Sequence, residues 1–271
     1  MSSAESRADF SDILTLYLSG QTTLDRTIAN LVADVETLYT QPLPIKDGAV
    51  SAEDLLWSLW KSILEASKKV DFFKQKNEKS ALVTLMVGLK RRSTPAVPED
   101  IYERVKDQIP WSLGELWGGL AIWGWQVREM WDVFDLVGVV DGADGLFGRV
   151  RTTLWEWVGF NAFLAGLSGD GVVDHCFLGQ SLIGLTLECD GLPRNVSAAV
   201  GGSSVWLILV GEKWGQEGWE VDGLMKFKVD RARMRRWEER LVQIMGEGLN
   251  LEDGVEELAT QAIEMLQLVL R

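Results

Sequence analysis

The chain's one histidine, His175, stands between Asp174 and Cys176, so the first chemistry to weigh is a cysteine nucleophile with an imidazole base. That chemistry needs the two side chains to meet, and neighbours on a helix point about 100° apart. His175 therefore reads as a residue at a helix start, on the surface or in the core. Gly179-Gln180-Ser181-Leu182-Ile183-Gly184 is one residue away from a nucleophile elbow and has no strand before it, so it reads as small-residue helix packing. Gly201-Gly202-Ser203-Ser204 lacks the lysine of a phosphate loop. One histidine and two separated cysteines, Cys176 and Cys189, do not complete a structural zinc site. Asp141-Gly142-Ala143-Asp144-Gly145 has alanine at the third position of a calcium loop and reads as a turn. Asp132 and Asp135 share a helix face, as magnesium-holding carboxylates do in diphosphate-ionising cyclases, but the rest of that motif is missing. No metal or organic cofactor is expected.

More informative are polar residues set among apolar ones. Arg128 and Asp132 are four apart and can pair on one helix. Glu156 and Asn161 fall in an apolar, tryptophan-rich segment, where unpaired burial would cost a few kcal/mol. Two readings follow. In one, Arg128 or another base neutralises Glu156 and ties core helices together. In the other, a carboxylate in an apolar pocket has a raised pKa and transfers a proton. Glu156 and Asp132 are then the candidate catalytic residues, with Trp123, Trp125, Arg128, Trp157 and Asn161 as candidate substrate-binding residues.

The chain has 13 tryptophans against 3 tyrosines. Most must fill space between helices. Trp117, Trp123, Trp125, Trp131, Trp155 and Trp157 stand near glycines, which suits an apolar pocket for a small-molecule guest. The functional expectation is a cofactor-free enzyme that cyclises or isomerises an apolar small metabolite. Its alternative is a non-catalytic ligand-binding or protein-interaction module.

The elements that would position these residues are helical. Phe10, Ile13, Leu14, Tyr17 and Leu18 follow an amphipathic stripe closed by Gly20. Thr22 with Asp25 resembles a capping box for a second helix, and Ser51 with Asp54 starts a third with Leu55, Leu56, Leu59, Trp60, Ile63 and Leu64 on its face. Leu82, Leu85, Met86 and Leu89 mark a fourth, ending before Pro95. A central helix is expected over Ser112 to Asp135, although Gly118, Gly119 and Gly124 each weaken it by ~1 kcal/mol, a cost that suits close approach by another helix or a ligand. After the glycine-rich loop Gly138 to Gly148, a second core helix is expected over Arg149 to Ser168, packed on the first so that Arg128, Asp132, Glu156 and Asn161 cluster. Further helices follow near Val172–Leu187 and Ser197–Trp214, then around Met234–Ile244 and Val255–Val269. The run Val205 to Val210 is the one rival strand. The expected fold is all-α, a single helical-bundle-like domain of about nine or ten helices over residues 1–271.

Net charge is -13 and the pI is about 4.6, which disfavours a phosphate-backbone partner. No apolar run reaches the ~18 residues of a membrane span, and the polar N-terminus is no secretory signal. Two thiols in a chain with a sizeable core are expected to be free, which places the protein in the cytoplasm. An apolar small molecule is the expected partner, nucleic acid and a membrane span are not, and an oligomer is possible.

The stretch Glu156-Trp157-Val158-Gly159-Phe160-Asn161-Ala162-Phe163-Leu164-Ala165 resembles the E-W-x-x-x-N-A-F-x-A pattern of a fungal family catalogued as domain of unknown function 3632. Tyr17-Leu18-Ser19-Gly20, Trp57-Ser58-Leu59-Trp60 and Leu82-Val83-Thr84-Leu85 are similar to its first helices. Arg128-Glu129-Met130-Trp131-Asp132 and Arg236-Trp237-Glu238-Glu239-Arg240 are similar to later pieces, while Gly166 departs from an expected arginine. The resemblance implies a filamentous-fungal origin and a link to small-molecule metabolism, since some members sit near natural-product pathway genes. It supplies no chemistry.

Overall fold

Helical periodicity becomes helix wherever an apolar stripe finds another to cover it. The structure, a computed structural model, describes residues 9–41, 50–70, 76–101, 115–132, 153–193, 195–216 and 229–271. Among these residues there are helices, turns and bends but no strand, so the fold is all-α. The Val205–Val210 run is helical. No described helix is long and apolar enough to cross a membrane. The glycine-rich loop 138–148, with its calcium-like Asp141 and Asp144, lies outside the described residues, as do Ser112 and Asp135.

The chain divides into two compact units: Met1–Lys69 with Gln75–Asp132, and Val70–Lys74 with Val133–Arg271. The first holds α1 (Phe10–Leu18), α2 (Leu24–Thr40), α3 (Ala52–Lys69), α4 (Lys76–Lys90) and α5 (Trp123–Asp132). Ser51 and Asp54 exchange side-chain and backbone hydrogen bonds at the start of α3, the box expected there. At α2 the cap is Thr23, one residue later than expected, because its hydroxyl accepts the Arg26 N–H. The α3 stripe is buried throughout and packs against α1 and α2.

The central helix expected from Ser112 is not continuous. Residues 115–122 form turns, and α5 begins only at Trp123. Leu120 and Ile122 sit at φ 48° and 57°, a region that β-branched side chains rarely enter. Tertiary bonds hold the break in place. The Trp60 indole N–H donates to the Ala121 carbonyl at 2.8 Å, and Trp60 meets Trp117 and Trp123 edge-on. Gly118 and Gly124 have open space where a Cβ would point, so close approach is not what these glycines serve.

The second unit holds α6 (Leu154–Gly169), α7 (Cys176–Ile183), a π-helical turn (Gly184–Glu188) continuing it, α8 (Val196–Gly215), α9 (Arg231–Gly246) and α10 (Val255–Leu270). α8 is central and packs on α6, α7, the π turn and α10. Small residues permit the approach. A Cβ on Gly202 would collide with Trp157 and Leu182, and one on Gly179 with the Trp206 ring. The small-residue helix packing expected at Gly179 is what this unit has.

Candidate functional site

Each candidate residue can be followed to where its helix puts it. On α5, Trp123 is buried against Trp60, whereas Trp125 is 61% exposed. Arg128 and Asp132 pair as their spacing requires, at 3.7 Å, but at the surface, with the arginine side chain 82% exposed. An ion pair so solvated contributes at most ~1 kcal/mol and leaves neither group in an apolar pocket.

On α6 the polar residues answer to local needs. Thr153 caps the helix, its hydroxyl accepting the Glu156 N–H, and the Glu156 carboxylate accepts the Thr153 N–H at 2.6 Å. Glu156 is half-buried and occupied as the second half of a capping box. Asn161 is fully buried, and both heavy atoms of its amide have a partner. Its amide donates to the Trp157 carbonyl at 3.0 Å, and its oxygen accepts the Trp206 indole N–H at 2.9 Å. Trp157 in turn donates its indole N–H to the Ala198 carbonyl on α8. The polar cluster expected from Arg128, Asp132, Glu156 and Asn161 is therefore not what satisfies these groups. Each is paired within its own helix or unit, because caps and indoles supply partners that helical spacing alone does not reveal.

The nucleophile candidates are buried and uncharged. His175 opens α7 and lies in the core, where burial pushes its pKa down to about 4 against the opposing pull of Asp174. Burial, with Asp174 adding to it, pushes the Cys176 thiol up to about 12. Near neutral pH neither group is a charged base or a thiolate. Among the described residues no group of three His, Cys, Asp or Glu gathers where it could hold a metal.

What the spacing did not reveal is a pair of identical clamps. In the first unit, Glu36 of α2 accepts two guanidinium N–H groups of Arg92 and the indole N–H of Trp117 at 2.8 Å. In the second, Glu188 at the end of the π turn accepts Arg233 at 2.5 and 2.9 Å and the Trp237 indole N–H at 2.6 Å. Burial alone would raise both carboxyls. The arginine and indole hydrogen bonds outweigh it and hold each below the usual carboxylate range. Only the Arg233–Trp237 spacing, four apart on one helix, could have signalled either clamp.

Some buried polar atoms are left over, the Ser204 hydroxyl and the Gln180 amide among them. Gln180 of α7 is 2% exposed, and neither atom of its amide finds a hydrogen-bond partner among the described residues.

No curated protein and no solved structure matches the chain. A family model described as "Protein of unknown function (DUF3632)" matches residues 60–241, a span that includes the Asn161–Trp206 bridge and the Glu188 clamp. That span exceeds half of the chain, and the chain belongs to this family.

Proposed function

We propose that the chain is a non-catalytic interaction module rather than an enzyme. One observation carries the reading: among the described residues, the candidate groups already have structural roles or are buried and neutral. Glu156 caps a helix, Asp132 is in an exposed ion pair, His175 and Cys176 are buried and neutral, and Asn161 bridges two helices. Each of these already serves the fold, through a cap, an ion pair, an interhelical hydrogen bond or burial, which favours a structural role over turnover. The indoles support the same reading, since those of Trp60, Trp117, Trp157, Trp206 and Trp237 donate within their own unit. Two free thiols support a reducing, cytoplasmic location.

A second reading keeps one foothold. The unpartnered amide of Gln180 favours a guest in the second unit, as the cofactor-free cyclase or isomerase acting on an apolar metabolite would require. Titration with an apolar fluorescent probe separates the two. The interaction module takes up no probe in a saturable one-to-one site. Stoichiometric uptake that quenches buried indole emission, and that Gln180→Leu abolishes, would reverse the choice.

The single domain expected over residues 1–271 is also proposed, carried by the helical periodicity along the chain. One calorimetric transition is expected, and two resolved transitions would contradict it.

A further inference from the structure

In a chain of net charge -13, α9 carries five arginines within ten residues: Arg231, Arg233, Arg235, Arg236 and Arg240. Arg233 clamps Glu188, and Arg240 reaches Glu247. Arg231 and Arg235 are exposed and have no ion-pair partner among the described residues. They sit in the first turns of α9, whose N-terminus Asp230 caps, and both are open to an anion from another molecule. Arg231, Arg235 and Val242 recur at i, i+4 and i+11 and so lie on one stripe. Val242 is apolar yet 52% exposed.

α10 runs antiparallel to α9. Glu238 accepts the Gln267 side-chain N–H at 2.9 Å, and Met234 and Val269 both reach the Gly215 position of α8. The loop joining the helices carries exposed Glu252 and Asp253, and Glu256 and Glu257 follow, exposed, in the first turn of α10. The hairpin is thus basic at its open end and acidic at its loop end, roughly 20 Å apart at 1.5 Å per residue. Val242 stands about midway between them.

We infer that this α9–α10 face is where two copies of the chain pair, antiparallel about a two-fold axis near Val242. Arg231 and Arg235 of each copy then meet Glu256 and Glu257 of the other. An isologous contact requires a surface complementary to itself under two-fold rotation, and a hairpin charged oppositely at its two ends with an apolar residue between them meets that requirement. A partner that was acidic throughout would be attracted at the open end and repelled at the loop end. The inference stands apart from the choice between interaction module and enzyme, since either could self-associate.

Analytical ultracentrifugation of the full chain tests it, with circular dichroism to verify that each variant folds. The wild type is expected to dimerise at low ionic strength and to dissociate near ~1 M salt, where the screening length falls to ~3 Å. Arg231→Glu/Arg235→Glu and Glu256→Arg/Glu257→Arg should each be monomeric, and a one-to-one mixture of the two should form a heterodimer. Val242→Asp, exposed and so tolerated by the fold, should weaken the dimer at least about tenfold by facing like charges across the axis. A wild type monomeric at every ionic strength would overturn the inference. So would a dimer indifferent to these substitutions, or folded charge-reversed variants that fail to pair on mixing.

Discussion

The two units solve the same problem in different ways. Each buries an indole whose N–H must find an acceptor, and each does so with a glutamate already held by two guanidinium N–H groups. In the first unit the three partners, Glu36, Arg92 and Trp117, come from separate parts of the sequence, and Trp117 leads into turns that force Leu120 and Ile122 into positive φ. In the second, Arg233 and Trp237 are one helical turn apart, and the π turn ends on the glutamate. A guanidinium 5.5 Å from the Trp237 ring centroid adds a cation–π contact to that clamp. The second clamp takes two partners from one helix turn and its glutamate from a π turn, whereas the first takes all three from separate elements and adjoins two residues at positive φ.

The sharpest way to break the comparison is to remove each carboxylate. Glu188→Leu should destabilise by about 3 kcal/mol, because it strands a buried indole N–H and an arginine whose side chain is only 14% exposed. Glu36→Leu should cost about 2 kcal/mol, since Arg92 at 38% exposure can regain water. Urea unfolding of both variants measures the difference, and equal losses would remove the distinction.

Acid sharpens it further. His175 has a folded pKa of about 4 against 6.5 unfolded, so between these values the unfolded chain binds the extra proton. Its contribution is complete above pH 6.5 and is lost as pH falls toward 4, of order 2–3 kcal/mol in all. The Glu36 and Glu188 carboxyls are lowered, so the stability from their clamps is present above the ordinary carboxylate range and goes only as pH falls through their lower folded values. Acid weakening should therefore begin with His175, and His175→Gln should flatten the decline of the urea midpoint between pH 6.5 and 4.

Smaller effects follow at Glu156, Arg128 and Asp132. Glu156→Ala should cost about 1 kcal/mol and Glu156→Gln almost nothing, since glutamine also completes a capping box. Alanine at the exposed Arg128 or Asp132 should shift the unfolding midpoint by less than about 0.5 kcal/mol equivalent.

The helices were legible wherever the signal was local. The α3 stripe, the Ser51–Asp54 box and the last two helices all followed from spacing and residue type. The break at Leu120–Ile122 was not, because the apolar period runs through it and the bonds that hold it come from Trp60 and Glu36, far away in sequence. The partners of the candidate residues were not legible for a related reason. Burial of polar residues was foreseen, but a cap at Glu156 and an indole at Asn161 satisfy them where an arginine was expected.

The buried polar residues of the family motif hold helices together. A double-mutant cycle on Asn161 and Trp206 tests it most directly, using Asn161→Leu, Trp206→Phe and their combination, followed by urea unfolding. Asn161→Leu alone strands the Trp206 N–H and should destabilise by about 2–3 kcal/mol, with a coupling energy of at least about 1 kcal/mol between the two positions. A coupling indistinguishable from zero, with Asn161→Leu as stable as the wild type, would contradict the claim and return Asn161 to the candidates for a binding or catalytic role.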